Sequence, residues 1–323
     1  MYDNIKLEKG LYNLSGKSFV EALEALDPSE NYADTPMASL DAYERQLKRF
    51  DIKVSGKDCD TVEKFFKTTE SAVLFPEFIR RAVKQGFDGS ILPNILAVVT
   101  KTDSNAYTGC VASAGNTPYT SVTTQGNALP ETTIYEDTTT TTLGKYGRAV
   151  NCSYEAVRLQ KLDVLAVMFS AIGSKLANAV VNKVITVAKT GATVTSIAGS
   201  ALAYSDIATL YGKFSDYNMT TMIASPTIVA DILAMTQMNY CRSEKCDRIT
   251  MPFGAELVKS SQMDSKNIIG LDKRFALELV TSSDIIMETD KIINRQLDCF
   301  TISINAGVKK IMGDAVQVLK ISS

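Results

Sequence analysis

Apolar residues recur at helical spacing through the first third of the chain, and short polar residues mark where those helices begin. Ser18 and Glu21 have the spacing of a capping box, followed by Phe19, Val20, Ala22, Leu23 and Leu26 on one helical face. Asp27-Pro28-Ser29 ends that helix. A second helix is predicted over about 39–50, with Leu40, Tyr43, Leu47 and Phe50 on its apolar side. Its other side carries Glu44, Arg45, Lys48 and Arg49 and reads as a solvated face. A third, short helix is expected at 61–67, so residues 1–66 read as a separate helical leader. An apolar helix follows from about Ser71, carrying Phe75, Phe78, Ile79, Ala82 and Val83 and ending at Gly86. Pro76 marks a break or a start within it. Residues 89–100 read as extended.

Between 101 and 147 the pattern changes. Thr, Ser, Gly, Asn and Pro dominate, with Thr132, Thr133 and a run from Thr138 to Thr142. The few bulky residues, Val122, Ile134, Tyr135, Leu143 and Tyr146, cannot fill a core of their own. Threonine favours strand over helix, which predicts a long two-stranded arm. An isolated hairpin is marginal in water, so this arm needs a partner surface.

The next stretch is strongly helical, with Leu162, Leu165, Phe169, Ile172, Leu176, Val180, Val184 and Val187 spaced by three or four residues and Gly191 closing the run. From Leu162 the helix is a rod of about 40 Å. Helices and strands then alternate. A helix over 205–217 and a strand over 219–224 precede Ser225-Pro226, which opens a helix to about 235. Short strands are predicted at 267–271, 275–280, 284–288, 301–305 and 316–321. The fold class is α+β.

Composition removes more chemistry than it adds. The chain has 323 residues, 34 basic against 36 acidic side chains, and no histidine. That absence excludes Ser-His-Asp and Cys-His nucleophile pairs and every His-ligated metal site, which disfavours catalysis without forbidding it. No catalytic, cofactor-binding or metal-ligating residue is assigned. The balanced charge argues against a dedicated nucleic-acid binder. Six scattered cysteines, Cys59, Cys110, Cys152, Cys241, Cys246 and Cys299, read as reduced, small apolar residues. No signal-peptide core and no run of about 18 uncharged apolar residues occur, so the chain is expected to be soluble, with no membrane partner.

The remaining motifs favour bland readings. Gly16-Lys17-Ser18 resembles the end of a phosphate-binding loop, but the required earlier glycine is Leu11, and Ser18 is accounted for as a cap. Glu136-Asp137 and Asp284/Glu288 are more simply solvated or turn carboxylates than acid–base pairs. Arg80, Arg81 and Lys84 read as the wet side of a helix rather than a phosphate site. Lys309-Lys310 is a similarly weak candidate.

Taken in order, these elements resemble the tailed-phage major capsid proteins of the Hong Kong ninety-seven fold. LFPEFIRRAVKQG (74–86) is similar to the family's N-arm. IIGLDKRFALELVTSSDIIMETDKIINRQLDCFTISINAGVKKIMGDAVQVLKI (268–321) is similar to its C-terminal region, with Asp272, Phe275-Ala276, Arg295 and Asp314-Ala315 in the family's rhythm. The resemblance implies a 1–66 helical N-terminal extension, a 67–100 N-arm and a 101–150 extended E-loop hairpin lying on a neighbouring subunit. It further implies a P-domain at 151–204 with the spine helix, an A-domain at 205–294, and P-domain C-terminal strands at 295–323.

The implied function is a major capsid protein that self-assembles, as hexamers and pentamers, into an icosahedral shell around double-stranded phage DNA. Portal, scaffolding or decoration proteins would be partners, DNA contact would be weak and non-specific, and the protein would be made in a bacterial cytoplasm and reside in the virion. Many relatives lose an N-terminal segment to a protease; here the leader is expected to be retained, packed on the shell inside or across a subunit boundary. Some relatives crosslink through an E-loop lysine, for which Lys145 is the candidate. Two other readings stay open: an encapsulin-like bacterial nanocompartment shell, and a histidine-free enzyme with a Lys or Glu base.

Overall fold

The computed structural model describes residues 5–14, 17–112, 126, 131–197, 199, 201–240 and 248–321. The leader and N-arm region hold α1 (Phe19–Leu26), α2 (Ala42–Arg49), α3 (Thr69–Ala72), α4 (Phe75–Asp88) and α5 (Leu92–Ile95). Six strands follow: β1 (Val98–Lys101), β2 (Ala106–Tyr107), β3 (Cys110–Ala112), β4 (Ile134–Glu136), β5 (Thr141–Thr142) and β6 (Gly144–Ser153). Then come α6 (Tyr154–Arg158), α7 (Leu162–Lys189), β7 (Thr193–Ser196), α8 (Tyr204–Gly212), β8 (Thr221–Ala224) and α9 (Pro226–Leu233). The chain closes with β9 (Glu256–Lys259), β10 (Asn267–Leu271), β11 (Leu277–Thr281), β12 (Ile286–Ile292), β13 (Leu297–Lys310) and β14 (Val316–Lys320).

Two units share these elements. The first comprises Met1–Ser90, Gly147–Ala177 and Ile285–Ser303, the second Ile91–Tyr146, Asn178–Asp284 and Ile304–Ser323.

In the first unit α1 begins where the capping box predicts: the Glu21 N–H donates to Ser18 Oγ (3.3 Å) and the Ser18 N–H to Glu21 Oε2 (2.7 Å). A second box, Asp41 with Glu44, starts α2 at Ala42, three residues after the predicted position. The face of α2 expected to be solvated is not uniformly so. Arg45 is fully buried, donating through Nε to Asp27 Oδ2 (2.6 Å), through Nη2 to the Asp27 carbonyl (2.6 Å) and through Nη1 to the Leu40 carbonyl (2.7 Å). Its guanidinium lies 4.4 Å from the Tyr32 ring centroid, and the Tyr32 hydroxyl donates to Asp27 Oδ1 (2.7 Å).

The leader is also not separate. Tyr12 OH donates to the Val73 carbonyl (2.7 Å), Arg81 Nη2 to Asp41 Oδ2 (2.6 Å), and Phe65 packs on Phe75 and Phe78 (5.4 and 5.8 Å between centroids). These contacts join the leader to α3 and α4 in one core.

Gly86 does not end α4, which runs on to Asp88. A Cβ at Gly86 would strike the Ser170 backbone, and one at Gly173 would strike the Val83 carbonyl. Each glycine thus admits the other helix's backbone. Gly173→Ala should destabilise the chain by about 1–3 kcal/mol through overpacking. Urea denaturation measures this, and an unchanged midpoint would mean the helices do not touch there. The N-terminal half of β13 pairs antiparallel with β12, Met287 facing Ile302.

The second unit contains a five-stranded sheet in the order β7-β14-β10-β8-β9. Its core joins Met222, Ala224, Leu257, Ile268 and Leu319 to Ile207 and Leu210 of α8 and Ile228, Val229 and Ile232 of α9. As predicted, Ser225 caps α9 with Pro226 at its first position. In the same unit β1 runs parallel to β11, which pairs antiparallel with the C-terminal half of β13. Residues 89–100 are not wholly extended, since Pro93 sits in the first turn of α5. The strand predicted at 301–305 is the middle of the 14-residue β13. β7 and β9, each only four residues long, were not anticipated from the pattern.

The helix α7 has the length and mean hydropathy (1.7) of a membrane span, a property that averages over the polar positions breaking up its apolar runs. Leu162, Leu165 and Phe169 are buried in the first unit, and Val180, Val181, Val184, Ile185 and Ala188 in the second. At its C-terminus Lys310 Nζ donates to the carbonyls of Ala188 (3.0 Å) and Thr190 (2.9 Å), satisfying groups the helix leaves unpaired. Burial pushes the Lys310 pKa down.

Candidate assembly surface

The threonine-rich segment forms the predicted two-stranded arm within its described residues. Ala106 faces Thr142 and Tyr107 faces Thr141 in the β2/β5 ladder; Cys110, Val111 and Ala112 face Glu136, Tyr135 and Ile134 in β3/β4. Ile134 is 71% exposed and Tyr135 50% exposed, so β4 leaves its two bulky apolar side chains largely uncovered. That pattern is expected of a surface awaiting a partner.

The base of the arm is held quite differently. The Asp137 N–H donates to the Gly109 carbonyl (2.8 Å), closing the ladder directly over Lys309. Lys309 is 8% exposed, and its Nζ lies 2.9 Å from Asp137 Oδ2. Lys309, with the Thr139 amide and hydroxyl, holds the Asp137 carboxyl down at about 2. Opposite Lys309 in the β11/β13 register stands Glu278, whose Oε1 accepts from Tyr107 OH (3.0 Å) and from the Thr100 hydroxyl.

A second unpartnered face lies on α7 in the first unit. Val164, Val167 and Met168, at i, i+3 and i+4, are all exposed, Val167 to 70%. The preceding Leu159 is exposed as well.

Several of the other sequence candidates are accounted for by contacts within the chain. Ser18 is a helix cap, and Gly16 lies outside the described residues. Arg80 and Arg81 are not the wet side of α4: both donate to fully buried Glu77, Arg80 Nε at 2.7 Å and Arg81 Nε at 3.1 Å. Asp284 pairs with Lys101 Nζ (3.0 Å), while Glu136 and Glu288 are exposed. Buried Asp272 accepts from the Asn218 N–H (3.1 Å) and from Arg274 Nη2 (2.8 Å). Lys145 is exposed at the start of β6. Cys59, Cys110, Cys152 and Cys299 carry free thiols, and Cys241 and Cys246 lie outside the described residues. Among the described residues no group of three or more Cys, Asp or Glu is placed to hold a metal ion. Lys309 stood in the sequence only as half of a weak Lys309-Lys310 candidate, beyond the end of the strand predicted at 301–305, whereas Glu278 fell on the strand predicted at 275–280; their burial and their pairing depend on strand register.

Comparison with known proteins adds the decisive observation. A family model described as phage capsid protein matches residues 135–285, just under half of the chain. The fold is similar to the capsid of an empty GTA particle, with TM-score 0.54 and 14% identity over 72% of this chain and 89% of that one. It is also similar to the capsid of Cyanophage P-SCSP1u, with TM-score 0.51 and 15% identity over 70% and 86%. The chain has the tailed-phage capsid fold. Family match and capsid fold together support a structural role as a capsid shell protein, which is the role the order of elements implied. The same fold extends to the holo-SrpI encapsulin complex of Synechococcus elongatus PCC 7942, with TM-score 0.51 and 13% identity over 71% and 86%. No curated protein matches the chain in sequence.

Proposed function

We propose that this chain is the major capsid protein of a tailed phage, assembling as hexamers and pentamers into an icosahedral shell around double-stranded DNA. The observation that carries the reading is the arm, whose outer rungs expose Ile134 and Tyr135 and gain burial only on another copy. Residues 1–66 are the N-terminal extension, 67–100 the N-arm and 101–150 the E-loop. Residues 151–204 and 295–323 build the P-domain, and 205–294 the A-domain. The protein acts in the virion after synthesis in the host cytoplasm, meets a portal and scaffolding or decoration proteins, and touches DNA only weakly. Its formal net charge of -2 suits a lining from which DNA must later leave.

Purified protein should form large closed particles, visible by light scattering and electron microscopy. A species that stays a small oligomer under every assembly condition would overturn the reading. The encapsulin-like alternative is favoured by the S. elongatus match, which is as similar in fold as the cyanophage one. Nuclease-protected DNA inside the particles supports the phage reading, and a protein cargo supports the other.

A further inference from the structure

We propose that Glu278 and Lys309, a register pair on β11 and β13, form a two-point clamp that fixes the direction in which the arm leaves its own subunit.

The pair stands on one face of a two-strand ladder, and each member grips a different arm strand. Glu278 accepts from Tyr107 OH on β2 (3.0 Å), and Lys309 meets Asp137, just beyond β4, at 2.9 Å. Both body residues are 8% exposed, so their polar ends are largely withdrawn from water; the arm supplies the partner of Lys309 and one of the two hydroxyl donors to Glu278, the other being Thr100 on β1. Two glycines make the close approach possible. A Cβ at Gly109 would fall 2.6 Å from Lys309 Nζ, and one at Gly307 would fall 2.9 Å from Thr141 Cγ2. The arm's own ladder closes at the same level, through Asp137 N–H to Gly109 O (2.8 Å) and Leu143 N–H to Asn105 O (2.9 Å). A hairpin with so little apolar content of its own depends on contacts with the body to hold a fixed angle at its base. Beyond the clamp, the exposed β3/β4 rungs are left to a neighbour. The arm is therefore rigid where it leaves the body and unsupported where it reaches out.

The inference rests on reading 101–150 as an arm that serves another copy, but its test uses the full-length chain before assembly. Tyr107→Phe with Asp137→Ala removes both grips from the arm side and leaves β11 and β13 unaltered. Amide hydrogen exchange of 105–112 and 134–143 is expected to accelerate fivefold or more, while 277–281 and 306–310 keep their protection. Arm exchange that accelerates by less than fivefold overturns the clamp. So does equal loss of protection in the body strands, which would make the contacts ordinary packing. Lys309→Met removes one grip from the body side; arm-only acceleration is expected, and unchanged arm exchange overturns the clamp. Failure to form particles with the exchange result intact would instead strike the shell reading, leaving the clamp standing.

Discussion

Arg45→Ala should cost the chain about 3–5 kcal/mol, the usual range for removing one member of a buried ion pair. The loss is large because Arg45 satisfies several groups at once: the Asp27 carboxylate and carbonyl, the Leu40 carbonyl, the Ser29 hydroxyl (3.0 Å) and the face of Tyr32. Without the guanidinium, Asp27 at 4% exposure keeps one donor, the Tyr32 hydroxyl, and no counter-charge. Domains have only about 5–15 kcal/mol to lose, so the unfolding midpoint should fall markedly. Denaturant titration followed by circular dichroism measures the change. The double variant Arg45→Met with Asp27→Asn separates charge from packing, and should recover part of the loss because no unpaired charge remains. A single-variant cost under about 1 kcal/mol would mean that the pair is solvated in solution.

Ile134→Ser with Tyr135→Ser should behave in the opposite way, leaving the isolated chain intact and preventing it from closing shells. Both side chains are already exposed, so the unassembled protein should change in stability by no more than about 0.5 kcal/mol. Each forgone burial on a neighbour forfeits roughly 1.5–3 kcal/mol per arm. Because every copy in a shell would carry the same defect, the losses accumulate and particle yield should fall more than tenfold. Light scattering of assembly reactions, alongside thermal melts of the unassembled chain, tests both halves. Wild-type particle yield from the variant would remove the arm from assembly.

What the sequence disclosed and what it hid follow from the range of the interactions involved. Local signals were readable: the Ser18/Glu21 box, the Ser225-Pro226 start and the 28-residue α7 all depend on residues within a few positions of one another. The coreless character of 101–147 was equally plain, because a missing core is a matter of composition. Arg45 was misread because its partner Asp27 lies 18 residues away, and no period in α2 distinguishes a charge facing water from one facing a distant carboxylate. Gly86 was misread for a related reason. A glycine that ends a helix and one that admits another helix's backbone look the same until Ser170 is placed beside it. The clamp at the arm's base was hidden most deeply, since Glu278 and Lys309 acquire meaning only through strand register and through Tyr107, 171 residues from Glu278. The capsid fold itself was legible because it is written in the order of the elements.

The division of the chain into two units has a practical corollary for its modularity. The backbone passes from one unit to the other at 90/91, 146/147, 177/178, 284/285 and 303/304, and three of those passages fall inside β6, α7 and β13. No single cut, and no single contiguous fragment, yields either unit. Recombination that exchanges one unit between relatives would have to replace three separate stretches together and rejoin a helix and two strands in mid-course. Such a protein is inherited as a block. Variation can enter it cheaply only where the chain stays within one unit and bears no core, which in this molecule describes the arm's outer rungs.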